Sequence, residues 1–182
     1  MAQVDAFLDC PDIKGESTDS KHQNTVEIDS YNWGCLQMST TGSATTGPGA
    51  GKVRPLDLHF RSKPSVATPL FYSFCGSGKP IAKATLYVRK AGGNQIDYMT
   101  ITLEQCLITS HRISMGYDIE QSKDGFQYDS EAGMANTDDW VVWEYGSISY
   151  GKLTLQYNAQ QPDGTLGAPT VKWVDFQKNT NG

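Results

Sequence analysis

Apolar and polar residues in this chain alternate with a period of two more often than with the three-to-four spacing of a helix. The clearest stretch runs from Thr85 to Leu103. Its first arm puts Leu86 and Val88 on one face and Thr85, Tyr87 and Arg89 on the other. The return arm puts Ile96 and Tyr98 on one face and Met99, Ile101 and Leu103 on the opposite one. Gly92-Gly93-Asn94 stands between the arms, so the pattern predicts an antiparallel hairpin with Gly92 and Gly93 as turn residues. Replacing either glycine is costly if its φ is positive. Neither face of the hairpin is cleanly polar, so each needs cover, which points to assembly before catalysis.

The same reading predicts strands at Val4 to Leu8, Val26 to Trp33, Leu56 to Phe60, Leu107 to Tyr117, Trp140 to Trp143, Ile148 to Tyr157 and Val171 to Phe176. In the Val26 strand Tyr31 and Trp33 share a face and Asn32 points the other way. Between Ile148 and Tyr157 the apolar parity switches beside Gly151, which predicts a bulge there. One segment reads as a helix, Ser65 to Cys75. Ser65 or Thr68 is the candidate cap, Pro69 sits in the first turn, and Leu70, Phe71 and Phe74 form an apolar stripe. Gly76, Gly78 and Pro80 end it. It is too short to persist without docking on a sheet. Ile13 to His22 reads as a polar loop. Ser39 to Lys52, almost entirely Ser, Thr, Gly and Ala, reads as an exposed, mobile one. Gln121 to Asp139 is acidic and irregular, within a variable loop region at 118–139. No period repeats and no linker divides the chain, so residues 1–182 read as one domain, all-β with about eight or nine strands and one short helix.

The chain has 182 residues and a formal charge of −5, enough for a real core and mildly acidic, which gives no reason to expect nucleic acid as a partner. Cys10, Cys35, Cys75 and Cys106 form no CxxC pair; four thiols allow two disulfides in three pairings, but in a chain of this length they read first as reduced, mostly buried thiols. No stretch approaches the ~20 apolar residues of a membrane span, and no basic-then-apolar leader is visible. The expectation is synthesis and folding in the cytoplasm, with export by a machine that accepts folded proteins left open.

Candidate chemistry is thin. Gly47-Pro-Gly-Ala-Gly-Lys52 suggests a phosphate loop, but Thr46 stands where its first glycine belongs and Val53 where its hydroxyl belongs. His22, His59 and His111 match no zinc spacing with the cysteines. Asp138-Asp139 and the set Asp129, Glu131 are acidic pairs that the sequence does not place across a cleft, Asp138-Asp139 reads as a solvated turn before a strand, and no nucleophile elbow occurs. The expectation is no enzyme and no cofactor. Trp33, Trp140, Trp143 and Trp173 can serve a barrel core or contacts between subunits.

A set of segments carries a resemblance. They are Ile13-Lys-Gly-Glu-Ser-Thr-Asp19 with Lys21-His22, Val26-Glu-Ile28, Tyr31 to Gly34, Gly49-Ala-Gly-Lys-Val53, Pro69 to Lys79, Ala82 to Gly93, and the strand around Lys152 to Tyr157. Together they resemble the Hcp family, the haemolysin-coregulated tube proteins of type VI secretion systems. The resemblance implies a compact β-barrel of two antiparallel sheets with one short flanking helix. It implies hexameric rings that stack into tubes, a contractile sheath and a spike protein as partners, and small secreted effectors held in the ring. It also implies secretion through that machine without a conventional signal peptide.

On the same resemblance Asn32 faces the lumen and its cargo, and Thr40, Gly42, Gly47, Gly49, Gly51 and Lys52 belong to a loop that reaches a neighbouring ring. The chain departs from the family at Asp118 to Trp143, which is longer and more aromatic, at Tyr145 to Tyr150, and in its four cysteines. The runner-up from the residues is a secreted β-sandwich binding module, for carbohydrate, using Trp140 and Trp143.

Overall fold

A computed structural model describes residues 4–39, 50–90, 96–115, 142–161 and 164–182. Nine strands and one helix follow in the order β1 (Val4–Asp9), β2 (Val26–Ser39), β3 (Ala50–Ser62), α1 (Thr68–Ser77), β4 (Ile81–Lys90), β5 (Ile96–Met115), β6 (Val142–Ser149), β7 (Lys152–Gln160), β8 (Leu166–Asp175) and β9 (Thr180–Asn181). All strands belong to one continuous sheet in the order β4-β1-β2-β3-β6-β5-β7-β8-β9, rather than to two separate sheets. A further pairing of β4 with β5 makes the first six strands a cycle of neighbours. Every pairing is antiparallel.

The hairpin read from alternation has Leu86 opposite Ile101 and Thr85 opposite Thr102. Its glycine turn, Gly92 and Gly93, lies outside the described residues. The separate strand expected after Leu107 is the second half of β5, which runs for 20 residues. The strand survives its change of neighbours because Gln105 takes a positive φ of 58°. β5 pairs with β7 as far as Glu104 and with β4 as far as Cys106; from Leu107 on it pairs with β6. Directly across, the chain turns at Tyr150-Gly151 between β6 and β7, and the parity switch expected beside Gly151 occurs there. Ile148 and Tyr150 are buried before it and Leu153 after it. A methyl group on Gly151 would collide with the side chain of Gln105, so the kink and the glycine accommodate each other.

The helix starts at Thr68, not Ser65. Its cap position is Ala67, which is wholly buried and has no capping side chain. Neither expected cap acts as one. The Ser65 amide donates to Thr68 Oγ1 at 2.9 Å, and the Ala67 amide donates to Ser65 Oγ at 3.2 Å, so both hydroxyls are used in the turn before the helix. Gly78, at φ 63°, ends the helix as a left-handed cap. Phe71 and Phe74 are buried, with Phe71 ringed by Phe60 at 5.2 Å and His111 at 6.2 Å. Leu70, expected in the same stripe, is exposed.

The core is aliphatic where β1, β4 and β5 meet, with Leu8, Leu86, Val88, Ile101 and Leu103 almost fully excluded from solvent. The polar stretch read as a loop from Ile13 to His22 is packed, not free. Ile13, Gly15 and Ser17 are buried while Lys14, Glu16 and Thr18 are exposed. The Gly15 amide donates to the Asn24 carbonyl at 2.8 Å and the Ser17 amide to that of Thr25 at 3.1 Å. A Cβ on Gly15 would strike the Thr25 backbone, so glycine is required for this close approach. The segment forms a strap tied to β4 and β5.

Candidate functional site

Among the described residues, two charged clusters and one surface groove offer candidate chemistry. The first cluster ties down the strap. Arg89, on β4, is fully buried and forms a fork with Asp19 at 2.6 and 3.1 Å, while its Nε donates to Asp97 at 3.2 Å. Nε2 of His22 lies 3.0 Å from both carboxylate oxygens of Asp97, with its ring stacked 4.7 Å from Phe7. The Arg89 guanidinium, helped by the amides of Lys21 and His22, holds the Asp19 carboxyl well below the usual carboxylate range. Asp19 in turn raises Arg89. The second cluster lies near α1. Glu144 is fully buried on β6, with His111 Nε2 at 2.6 Å and Ser62 Oγ donating at 3.2 Å. Both clusters sit against packed aromatic rings and hold elements together.

Asn32 is exposed in β2, opposite His59 in the register with β3, on the face turned away from Tyr31 and Trp33. Tyr31 and Trp33 pack against the core, as the alternation predicts. Asn32 shares its face with a polar surface on β3, β5 and β6. There Thr109 donates to Asp57 at 2.6 Å, Ser110 and Ser147 hydroxyls meet at 2.7 Å, and Arg61 lies 4.5 Å over the Trp143 ring while pairing with Asp29. Burial lowers His59 from its ordinary value, against the opposing pull of Asp57.

Of the expected loop residues, Gly51 and Lys52 belong to β3, because the β2–β3 ladder continues through Leu36–Arg54 and Gln37–Val53 to Ser39–Ala50. Thr40, Gly42, Gly47 and Gly49 lie outside the described residues, as do Trp140, Asp129, Glu131, Asp138 and Asp139. Beside the β2–β3 arm is a groove of about 510 Å³, lined by Lys52, Arg54 and Pro55, by Gln105 and Leu107 at the β5 kink, and by Gln177. Tyr150 also faces it, donating its hydroxyl to the Leu56 carbonyl at 2.9 Å; burial pushes this phenol above its ordinary range. Among the described residues no group of three or more His, Cys, Asp or Glu side chains is placed to hold a metal ion. No helix among them is long and apolar enough to cross a membrane.

The family model of the type VI secretion system effector Hcp matches residues 7–157. The chain belongs to the Hcp family. It is 33% identical over 172 residues to the protein hcp1 of Pseudomonas aeruginosa, covering 93% of each chain. Its fold is similar to that of Hcp1 from Salmonella typhimurium, with a TM-score of 0.72 at 27% identity over the full length of both chains. A second structure, described as a type six secretion system protein, shares the fold at a TM-score of 0.82 with 19% identity, over 99% of this chain and 100% of that one.

The strap and its Arg89–Asp19–His22–Asp97 cluster were missed in the sequence. A signal was present in the alternation Ile13, Gly15, Ser17, obscured because its inward residues are small or polar.

Proposed function

We propose that this Hcp-family chain is the structural subunit of a type VI secretion inner tube. Six copies close a ring, rings stack, and small effectors ride in the lumen until sheath contraction expels tube and spike. In this reading the cycle of six strands is the barrel, and it is made in the cytoplasm and leaves through that machine. The observation that carries the reading, beyond family membership, is the open edge of β8. From Leu166 to Lys172 no strand pairs with its far side among the described residues, since β9 reaches only Val174 and Asp175. Exposed Tyr157 and Val171 stand on the same two-stranded flank. An edge of this kind invites uncontrolled pairing unless a neighbour or a closed ring finishes it. Pro169 in the same stretch limits which partner backbone fits.

The polar face around Asn32 suits a lumen wall, because cargo that is carried and later released needs hydrated, reversible contacts rather than a deep pocket. Residues 40–52, with Gly51 and Lys52 at the foot of the arm, are assigned to ring stacking. Such glycine-rich contacts are individually weak and need many copies. Sedimentation and negative-stain imaging test the proposal. Rings of six times the 20.0 kDa chain support it, and a stable monomer at high concentration refutes it. Exchanging Asn32 for a bulky charged residue should leave the ring intact and alter cargo retention; loss of the ring in that variant rejects the luminal assignment. Trp143 is covered by Arg61, and Trp140, the other residue of the carbohydrate-binding alternative, lies outside the described residues.

A further inference from the structure

β6 stops short of the strands it lies between, and the place it leaves is the groove beside the β2–β3 arm. Toward its C-terminal end its last pair with β3 is Leu58–Ile148 and its last pair with β5 is Leu107–Ser149. The chain then leaves the line of β6 at Tyr150-Gly151. β3 runs on past this point, from Asp57 back to Lys52, paired with β2 on one side only among the described residues. Where β6 is present it holds β3 and β5 two strand spacings apart, about 9–10 Å. The slot beyond its end opens at that width, the width of one missing strand. From Asp57 to Lys52 it offers roughly 20 Å of open strand edge at the rise of an extended chain.

The two faces of this edge differ. Along β3, Lys52 and Arg54 are exposed on one face, and Val53 and Pro55 are half-buried on the other. Val53 packs against the core. Leu107, 40% exposed, and buried Phe176 continue the apolar wall of the groove. Among the described residues no ion pair engages Lys52 or Arg54, and no carboxylate lines the groove. Carboxylates at neighbouring positions are used elsewhere. Asp57 accepts from Thr109, Glu104 pairs with Lys152, and Asp175 accepts from the amides of Gln177 and Lys178.

The far wall is built from unusual backbone. Gln105 holds a positive φ of 58°, uncommon outside glycine. Gly151 leaves room where a Cβ would collide with the side-chain carboxamides of both Gln105 and Gln177. The two carboxamides therefore lie together over Gly151 in the groove, and each can donate to and accept from a polypeptide backbone.

We infer that this slot takes an extended segment of a partner protein in which acidic and apolar residues alternate, added in the line of β6 along the free edge of β3. Strand addition supplies backbone bonds whatever the sequence, and the side chains on alternate positions supply the selection. Carboxylates at every second position meet Lys52 and Arg54. The residues between them enter the apolar wall of Val53, Leu107 and Phe176. A strand has period two, so a segment whose acidic and apolar residues are grouped in blocks cannot satisfy both faces. The edge is short and its cations are exposed, which sets a modest, salt-sensitive affinity. The slot belongs to the single subunit, so the inference stands apart from how copies assemble.

Fluorescence anisotropy with a fluorescein-labelled peptide, Glu-Phe-Glu-Leu-Glu-Phe-Glu, tests it on the full chain. Saturable binding tighter than about 1 mM is expected at low salt. Three changes should each weaken it about tenfold or more: Lys52→Glu/Arg54→Glu in the protein, the block peptide Glu-Glu-Glu-Glu-Phe-Leu-Phe, and N-methylation of alternate peptide amides. Circular dichroism melts check that the double variant is folded. Bound peptide should slow amide exchange in residues 52–57 and leave the open edge of β8 from Leu166 to Lys172 unchanged. No saturable binding, binding indifferent to the charges or to N-methylation, or protection confined to residues 166–172 overturns the inference. Loss of peptide binding as the protein is concentrated gives the slot to a second copy and overturns it as well. Sodium 3-phenylpropionate binding as tightly as the peptide gives it to a small anion, with the same result.

Discussion

Removing the Arg89 guanidinium by Arg89→Met should be among the most damaging single changes outside the apolar core. Arg89 is fully buried, and its three charge-assisted bonds, two to Asp19 and one to Asp97, join the strap to β4 and β5. Methionine keeps much of the volume over the Phe7 ring but leaves two carboxylates facing each other, with only His22 between them. Breaking a buried pair by deleting one partner costs about 3–5 kcal/mol, which for a chain of this size lowers the melting temperature by roughly 6–20 °C. Arg89→Lys keeps the charge and loses the fork, so it should cost about 1–2 kcal/mol.

The damage has a pH signature. The folded state holds Asp19 below its ordinary value, so its contribution is whole above the unfolded carboxylate value of about 3.9 and drains away as the pH falls from there toward the lower folded value. Urea unfolding at fixed protein concentration, repeated from pH 6 down to pH 3, measures both effects. Amide exchange across residues 13–25 shows whether the strap opens first. A loss under about 1 kcal/mol in Arg89→Met, or an acid slope unchanged from the wild type, would refute the reasoning.

Tyr150→Phe should cost about 1 kcal/mol in denaturant unfolding, the net worth of the hydrogen bond its hydroxyl donates to Leu56. In the wild type the Tyr150 phenol is raised by burial. Its stabilising contribution is whole below about pH 10 and lost as the pH climbs toward the folded value, so in ultraviolet titration the variant should lose the latest-titrating tyrosine, later than the also raised Tyr31 and Tyr87. Gly146→Val should cost about 1–3 kcal/mol by thermal melting, because a side chain there runs into the buried Phe60 ring. Burial pushes the Cys106 thiol up to about 12 and the Cys10 thiol higher still. Iodoacetamide at pH 8 should therefore leave both unmodified in the folded protein and label them on unfolding, as read by mass spectrometry.

Alternation revealed the strands where one face is buried in full, as at Leu86 and Val88 against Ile101. The parity switch it marked beside Gly151 is a break between β6 and β7 and not the bulge within one strand that the pattern predicts; the register against β5 is the same on both sides, and the kink at Gln105 opposite accompanies the switch. Alternation divided β5 in two, because a kink carried by Gln105 leaves no glycine or proline to announce a strand that continues beyond it. Charge was harder to read than apolarity. Arg89 and Glu144 look like surface residues in the sequence and are fully buried, since only tertiary packing brings Asp19 to one and His111 to the other. Asn32 was legible because the flanking aromatics fix its parity, whereas the groove was not, since its walls come from β3, the β5 kink and the β8–β9 turn.

The unbroken length of β5 also has a mechanical side. β6 and β7 lie end to end along it, in one register as far as Ile108 and shifted by one residue beyond it, so paired backbone runs along nearly the whole strand. Its hydrogen bonds stand across the strand direction. Tension applied along β5 strains all of them together in shear, while tension applied sideways peels them one pair at a time. The subunit is therefore stiff along that line and compliant across it.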